Sequence, residues 1–358
     1  MKKIDRYKEL VDIDPDDVDA WINLGDGYYD EANYTKALEC YEKVVELNPY
    51  SSEAWNNIGL SHSYNGDYKN AIESYKKAIK LEPDDAIAYY NLGYSYEDLE
   101  EFDRAIKYYN KALELDPSYT DVLNNIALIY QNKNMHDKAI QCYKKALKID
   151  PDNILILKNL AQIYYNINDY DKVIFYYNLA LELDPDNAVI WNNLGSVYYE
   201  INEFNEAIKC YKKALKSNPY YIEAWNGLGL SYTFSEKYEK SIECYKEALK
   251  LDSNDEILYD NIGFSYNKLK MYDKAIKYYK KSLGLNPDSS TVWKSLGIVY
   301  HNRDDYDNAI RCYKKALDYL PYDYEIWNNL GYIYDSRKEF KKAEEAYYEA
   351  SKWKSKVS

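Results

Sequence analysis

Five cysteines and three histidines are the residues of this 358-residue chain whose types could support metal or redox chemistry. Metal ligands are usually spaced a few residues apart. The cysteines are instead separated by 102, 68, 34 and 68 residues, all multiples of 34, which is the spacing of a repeat and not of a ligand set. They are Cys40, Cys142, Cys210, Cys244 and Cys312. We expect free structural thiols, no disulfides, no metal and no cofactor.

The histidines do not form a catalytic set either. His62 and His136 take places that other parts of the chain fill with core aromatics, and His301 lies far from both. No nucleophile, base and orienting acid can be assembled from them. The pair Gly227 and Gly229 falls inside a predicted helix, whose bonded backbone amides cannot cradle a phosphate. We therefore expect no enzymatic activity.

Charge and hydropathy exclude two partner classes. The formal net charge is −14, which repels phosphate backbones, so we expect no nucleic-acid partner. No apolar run approaches the roughly 20 residues of a membrane span, and the N-terminus carries acids where a signal peptide would be apolar. Reduced thiols are typical of the cytoplasm. We expect a soluble, cytoplasmic protein without a membrane partner.

A period of 34 residues organises the chain. Ten large apolar residues recur at this spacing: Trp21, Trp55, Tyr89, Leu123, Leu157, Trp191, Trp225, Tyr259, Trp293 and Trp327. With these residues at position 4 of each unit, we predict ten units at 18–51, 52–85, 86–119, 120–153, 154–187, 188–221, 222–255, 256–289, 290–323 and 324–357. Residues 1–17 match the second half of a unit and are predicted to form a capping helix.

Each unit contains two helical patterns with apolar residues three and four apart. The first helix is predicted over about positions 1 to 14, and the second begins near position 17. Position 34 supplies good N-caps for the next unit, except where it is Tyr119 or Tyr221. The predicted caps are Asp17, Ser51, Asp85, Asn153, Asn187, Asp255, Ser289 and Asp323. Proline at position 32 is expected to stop the second helix, although the seventh unit has Ser253 there.

The pattern Trp-x2-Leu-Gly-x2-Tyr, Ala-x3-aromatic and Pro in 34 residues resembles the tetratricopeptide repeat. This resemblance implies an all-α, right-handed superhelix of about 21 helices. In it the first helix of each unit lines a concave groove and the second covers the outside. Small residues at positions 8 and 20, such as Gly195 and Ala207, would let the two helices approach closely. Most of the 46 tyrosines would be core residues at positions 11, 17 and 24.

Both ends of the array have distinct sequences. In the last unit, Glu344 and Ser351 replace apolar residues that face the following unit elsewhere, as expected of a polar C-terminal cap. Trp353 is expected to remain exposed. At the other end, Ile4 and Val11 occupy the apolar positions of a lone covering helix.

Asparagine recurs at position 6 of the first helix, which is predicted to face the groove. Asparagine is a poor residue inside helices because its amide competes for backbone hydrogen bonds. One amide can donate to and accept from one peptide unit of an extended ligand, as the asparagine ladder does in the similar repeat domain of O-linked N-acetylglucosamine transferases. Inheritance from the family consensus remains the alternative. The candidate peptide-binding asparagines are Asn23, Asn57, Asn91, Asn125, Asn159, Asn193, Asn261 and Asn329.

The other groove positions indicate the ligand's character. Twelve acids and three lysines occupy them, so the groove is predicted to be negative. Candidate contacts are Asp19, Glu53 and Asp121, with the aromatic residues Tyr94, Tyr165 and Tyr199. Position 6 has no lysine or arginine, which excludes the clamp that similar proteins use for acidic chaperone tails.

These observations predict a non-catalytic scaffold for protein–protein interaction that binds an extended neutral or basic peptide. Two alternatives remain. One is a structural module that self-assembles through its ends or outer faces, and the other is the recruitment region of a larger enzyme.

Overall fold

The computed structural model of the protein describes residues 3–357, which form 21 α-helices and no strand. The helices group into two compact parts, Met1–Ile167 and Asn168–Ser358. Within each part every helix contacts the next one along the chain. The first helices of neighbouring repeats also touch, for example α4 with α6 and α12 with α14. The predicted all-α class is confirmed, whereas the division into ten repeat units stays a prediction.

The helix bounds follow the 34-residue period. The first part contains α1 (Lys3–Ile13), α2 (Val18–Asp30), α3 (Tyr34–Leu47), α4 (Ser52–Tyr64), α5 (Tyr68–Leu81), α6 (Ala86–Asp98), α7 (Phe102–Leu115), α8 (Thr120–Asn132), α9 (His136–Ile149) and α10 (Ile154–Asn166). The second contains α11 (Tyr170–Leu183), α12 (Ala188–Glu200), α13 (Phe204–Ser217), α14 (Ile222–Phe234), α15 (Tyr238–Leu251), α16 (Glu256–Lys268), α17 (Tyr272–Leu285), α18 (Ser290–Asn302), α19 (Tyr306–Tyr319), α20 (Tyr324–Ser336) and α21 (Phe340–Val357).

Local capping sets where these helices begin. All eight predicted N-caps at position 34 accept a hydrogen bond from a backbone N–H in the first turn of the following helix. Tyr119 and Tyr221 make no such bond. The second helices of the first nine repeats end at position 30, even in the seventh repeat, where position 32 is Ser253 and not proline. Proline therefore is not required for that helix to stop.

The tryptophans at position 4 hold the turn between repeats. Each indole N–H donates to the backbone carbonyl six residues earlier, which belongs to the proline at position 32. The donors are Trp21, Trp55, Trp191, Trp225, Trp293 and Trp327, at 2.8–3.1 Å. Tyr259 replaces the indole in the eighth repeat, and its hydroxyl donates to the carbonyl of Ser253 at 3.2 Å. The residue at position 4 thus provides both apolar bulk and a donor for a loop carbonyl.

The glycines at position 8 leave room for a tyrosine ring. A Cβ on any of them would lie 2.5–2.9 Å from the ring at position 24 of the same repeat, as for Gly93 and Tyr109. The two helices of a repeat thus pack through this tyrosine ring, which lies directly against the glycine. Ala127 and Ala161 occupy this position in the fourth and fifth repeats and are fully buried.

Both end helices have the predicted polarity. Glu344 and Ser351 are exposed on α21, while Ile4 and Val11 of α1 are buried against the first repeat.

The prediction from the sequence that Trp353 is exposed is wrong. Its ring is half-buried, lies 5.8 Å from the ring of Tyr322, and its N–H donates to Glu349 at 3.0 Å. The indole therefore packs against the loop that precedes α20.

Two glycine variants test the role of the ring at position 24. Gly93→Ala places a methyl group 2.6 Å from Tyr109, so we expect the free energy of unfolding to fall by about 1–3 kcal/mol. Gly284→Ala, also in a helix but with nothing within 4 Å of the new Cβ, should raise it by up to about 1 kcal/mol. Urea unfolding of both variants measures the difference. Equal stability of the two would contradict the proposed packing.

Candidate functional site

The acids predicted at position 2 of the first helices are accessible. Asp19, Glu53 and Asp121 are exposed, and their carboxylates are available to a ligand. Glu325 is exposed as well, but it accepts a hydrogen bond from Lys294 at 2.5 Å. Asp323 accepts a second bond from the same lysine at 2.9 Å, so this groove lysine is neutralised within the protein.

Three of the predicted asparagines, namely Asn91, Asn125 and Asn159, donate hydrogen bonds to the preceding repeat, and two of them do so in the same way. The Asn91 amide donates to Asn56 at 3.1 Å, and the Asn159 amide donates to Asn124 at 2.9 Å. In both pairs position 6 of one repeat bonds position 5 of the repeat before it. Each amide retains its carbonyl oxygen for a ligand.

Asn125 is the most heavily engaged of the set. Its N–H groups donate to the hydroxyls of Tyr90 at 3.4 Å and Tyr109 at 3.3 Å. Its carbonyl oxygen accepts from Asn124 at 3.3 Å. Every polar group of this amide therefore has a partner inside the protein, so Asn125 has no free N–H for a peptide.

The remaining asparagines differ in availability. Asn23 donates to the backbone carbonyl of Asp19 at 2.7 Å, and Asn193 accepts from Asn192 at 3.5 Å. Asn329 is half-buried near Tyr313. Asn57 and Asn261 are half-buried and make no side-chain hydrogen bond within the described part of the chain. The amides at position 6 thus do not form a uniform ladder.

Two other groove acids serve the core tyrosines. Asp26 accepts from Tyr41 at 2.7 Å, and Glu97 accepts from Tyr109 at 2.6 Å. Burial and the neighbouring carboxylate raise the pKa of both tyrosines. Asp260 has no such partner, and burial raises its pKa to about 6.

Aromatic rings cluster at the ends of the first helices. Tyr64 stacks on Tyr34 with centroids 4.8 Å apart and meets the edge of Tyr29 at 5.5 Å. In the second part of the chain, Tyr199 lies 5.6 Å from Phe234, and Phe234 stacks on Phe204 at 5.4 Å. The predicted contacts Tyr199 and Tyr165 are both half-buried, whereas Tyr94 is 44% exposed.

Two clefts open on this face of the first part. The first is a cleft of about 270 Å³ that is lined mainly by tyrosine rings, and we name it the tyrosine cleft. Its lining consists of Tyr64, Tyr68, Tyr75, Tyr90 and Tyr94, with Leu60, Ser63, Asn91 and Asp98.

The second cleft, of about 310 Å³, shares Leu60 with the first and is named the acidic cleft. It is lined by Asp26, Tyr29, Asp30, Tyr41, Asn57 and Leu60. Of the predicted site residues, the structure therefore brings Asn91 and Tyr94 together and places Asn57 next to them.

Sequence reasoning missed part of the tyrosine cleft. Tyr68 and Tyr75 occupy positions 17 and 24, where the pattern predicts core aromatics, and Tyr75 is indeed 1% exposed. The available signal was the third repeat, which carries tyrosine at both groove positions 5 and 9, as Tyr90 and Tyr94.

Comparison with known families identifies the chain. Models of the tetratricopeptide repeat match residues 18–51, 56–120, 290–323 and 312–345. The model of the C-terminal domain of cilia and flagella-associated protein 70 matches residues 119–291. The chain belongs to the tetratricopeptide repeat family. Its fold is a tetratricopeptide repeat solenoid, and proteins of this family and fold are generally non-catalytic scaffolds for protein interaction.

Solved structures of other tetratricopeptide repeat proteins resemble it. The C-terminal part of a repeat-containing protein from Cytophaga hutchinsonii aligns with TM-score 0.60 at 19% identity, over 67% of this chain and 99% of its own. MamA aligns at 30% identity over 48% of this chain and 94% of its own, with TM-score 0.45. YrrB, described as having an unusual peptide-binding site, aligns at 25% identity over 52% and 96%, also at 0.45. No curated protein sequence matches significantly.

The described residues show neither a metal site nor a membrane-spanning helix. Within 3–357, no group of three or more His, Cys, Asp and Glu side chains is placed to hold a metal ion. The five cysteines are free, and burial raises the pKa of Cys40 to about 11. None of the described helices combines the length and hydropathy needed to cross a bilayer.

A double-mutant cycle tests the bond between repeats. Asn124→Ala and Asn159→Ala should show a coupling free energy of about 0.5–1.5 kcal/mol in urea unfolding, because they share a hydrogen bond. Asn56→Ala with Asn159→Ala is the matched control and should be additive, since Asn56 bonds a different repeat. Additivity of the first pair would show that the bond does not contribute.

Asp260→Asn tests the buried groove carboxylate. A folded-state pKa of about 6 lies above the usual value for aspartate, so the folded state binds the proton more tightly than the unfolded state. Stability from this group is present below about pH 4 and is lost as pH rises through about 6. Near pH 8 the variant should be more stable by about 1–3 kcal/mol, with little change near pH 4. A pH-independent difference in thermal unfolding would contradict this.

Proposed function

We propose that the protein is a non-catalytic scaffold that binds an extended neutral or basic peptide segment along α2, α4 and α6. The observation that carries this proposal is the pair of adjoining clefts that share Leu60. Their lining offers aromatic rings, amides and carboxylates, and no lysine or arginine. This combination suits a peptide because aromatic rings anchor side chains while amides and acids bond the main chain and basic groups.

The asparagines contribute unequally to this proposal. Asn57 has both its amide N–H groups and its carbonyl oxygen available in the acidic cleft, and Asn91 presents its carbonyl oxygen in the tyrosine cleft. Asn125 and Asn159 instead support the stacking of repeats. We therefore place the main peptide contacts at the first three repeats and not evenly along the array.

The accessible acids extend the negative surface of this region. Asp19 and Glu53 are exposed at position 2 of α2 and α4, and Asp30 and Asp98 are exposed at the ends of α2 and α6. A basic or neutral segment meets less repulsion here than an acidic one. The attraction between exposed charges must weaken as ionic strength rises.

Panning a library of random short linear peptides against the immobilised protein tests the proposal. Fluorescence anisotropy of the selected peptides then compares wild type with Asn57→Ala combined with Tyr64→Leu. We expect about tenfold weaker binding for this variant, because a ring anchor and a main-chain bond are both lost. Added salt should also weaken binding of basic peptides.

Asn261→Ala is the matched control, since Asn261 also occupies position 6, is half-buried and makes no side-chain hydrogen bond within the described residues. It should leave the affinity unchanged. Failure to select any peptide, or equal loss in the control and the cleft variant, would overturn the proposal.

A further inference from the structure

The tyrosine cleft is lined by hydrogen-bond acceptors that a ligand can reach. Tyr75 is 1% exposed and lines the cleft, yet its hydroxyl has no hydrogen-bond partner among the described residues. Some hydroxyls at the same position have partners, as in the bonds from Tyr41 to Asp26 and from Tyr109 to Glu97, whereas those of Tyr143, Tyr279 and Tyr313 have none among the described residues. In the second repeat the corresponding groove residues are Leu60 and Ser63, and neither bonds Tyr75.

Two further acceptors face the same space. Asn91 uses an N–H toward Asn56 and keeps its carbonyl oxygen, and Asp98 supplies a carboxylate. The negative charge of Asp98 raises the pKa of both Tyr68 and Tyr94. Since no basic side chain lines the cleft, the space carries negative potential without a cation to balance it.

The rings around the cleft are positioned before any ligand arrives. Tyr64 is 60% exposed but is held by its stacking on Tyr34 at 4.8 Å and its contact with Tyr29. Tyr94 presents a second accessible ring from α6. A ligand that stacks on these rings therefore loses little side-chain entropy from the protein.

We propose that the tyrosine cleft binds the guanidinium group of an arginine side chain in the peptide segment. This inference rests on the proposed function and names the side chain that the cleft selects. A guanidinium is planar, stacks on aromatic faces and donates several N–H groups in a fixed fork to carboxylate and amide oxygens. The volume of about 270 Å³ is smaller than that of most pockets for whole small ligands, as suits a single side chain.

Other cations fit the same cleft less well. A trimethylated lysine stacks on aromatic rings but has no N–H to donate to Asp98, Asn91 or Tyr75. A lysine ammonium donates three bonds but is a compact, strongly hydrated charge that does not stack as a plane. The carbonyl oxygen of Asn91 and the carboxylate of Asp98 therefore favour arginine over both.

The test uses peptides selected from the random library described above, resynthesised with each arginine replaced by citrulline. Citrulline keeps the planar shape of the group but carries no charge. A carbonyl oxygen replaces one of the NH2 donors of the guanidinium. We expect arginine to be enriched among selected peptides and citrulline to weaken binding about tenfold. Lysine and trimethyl-lysine peptides should fall between these two or bind as weakly as citrulline.

Asp98→Asn and Tyr94→Leu change exposed residues, so both variants should fold, which circular dichroism checks. In either variant the preference for arginine over citrulline should shrink toward unity. Glu200→Gln is the matched control, because it removes a charge from the same exposed position of a repeat that lacks this cleft, and it should keep the preference.

The outcomes separate the two proposals. Selected peptides that bind the groove without arginine enrichment, or with citrulline equal to arginine, would overturn the arginine pocket and leave the peptide scaffold standing. A stronger response to trimethyl-lysine than to arginine would also overturn it. Selection of no peptide would overturn the proposed function and this inference together.

Discussion

The packing of a tyrosine ring at position 24 against the first helix of its own repeat is the contact on which the rest of the structure depends. In eight repeats the ring lies so close to the glycine at position 8 that an added β-carbon would be only 2.5–2.9 Å from it. It therefore sets the separation of the two helices in each of those repeats. Because the ring crosses the helix interface, its hydroxyl emerges among the side chains at positions 6, 9 and 12 of the first helices.

That geometry couples the core to the groove. A buried hydroxyl without a partner costs free energy, and four of these tyrosines bond a groove residue: Asp26, Glu97, Ser196 or Thr233. Some groove acids thus stabilise the fold first and are available to a ligand only in part. Among the described residues, Tyr75 bonds no such partner, and neither do Tyr143, Tyr279 and Tyr313. The tyrosine cleft opens beside Tyr75.

In the Trp55-Asn56-Asn57 motif, the first two side chains make hydrogen bonds within the protein, whereas the Asn57 side chain lines the acidic cleft. The indole N–H holds the turn carbonyl, and in the second, fourth and sixth repeats the motif or its asparagine pair lies on the first helix. An asparagine at position 5 accepts from position 6 of the next repeat, as Asn56 does from Asn91 and Asn124 from Asn159. The ammonium group of Lys77 in α5 lies 3.8 Å from the centroid of the Trp55 ring.

The helix bounds, the eight N-caps and the polar face of the last helix were predictable from the amino-acid sequence because they depend on local interactions. Asp17, for example, caps a residue three positions away, and a strict period repeats that arrangement. The family of the repeats follows from the same regularity, and the division into ten units stays a prediction from it.

Contacts between residues 12 to 35 positions apart required the tertiary structure. Whether an amide such as Asn125 is free or saturated depends on Tyr90 and Tyr109 across two helix interfaces. The half-buried place of Trp353 depends in the same way on Tyr322. Ser63 lines the tyrosine cleft at the position where Glu97 bonds Tyr109 one repeat later, and the effect of this difference appears only when the neighbouring helices are packed together.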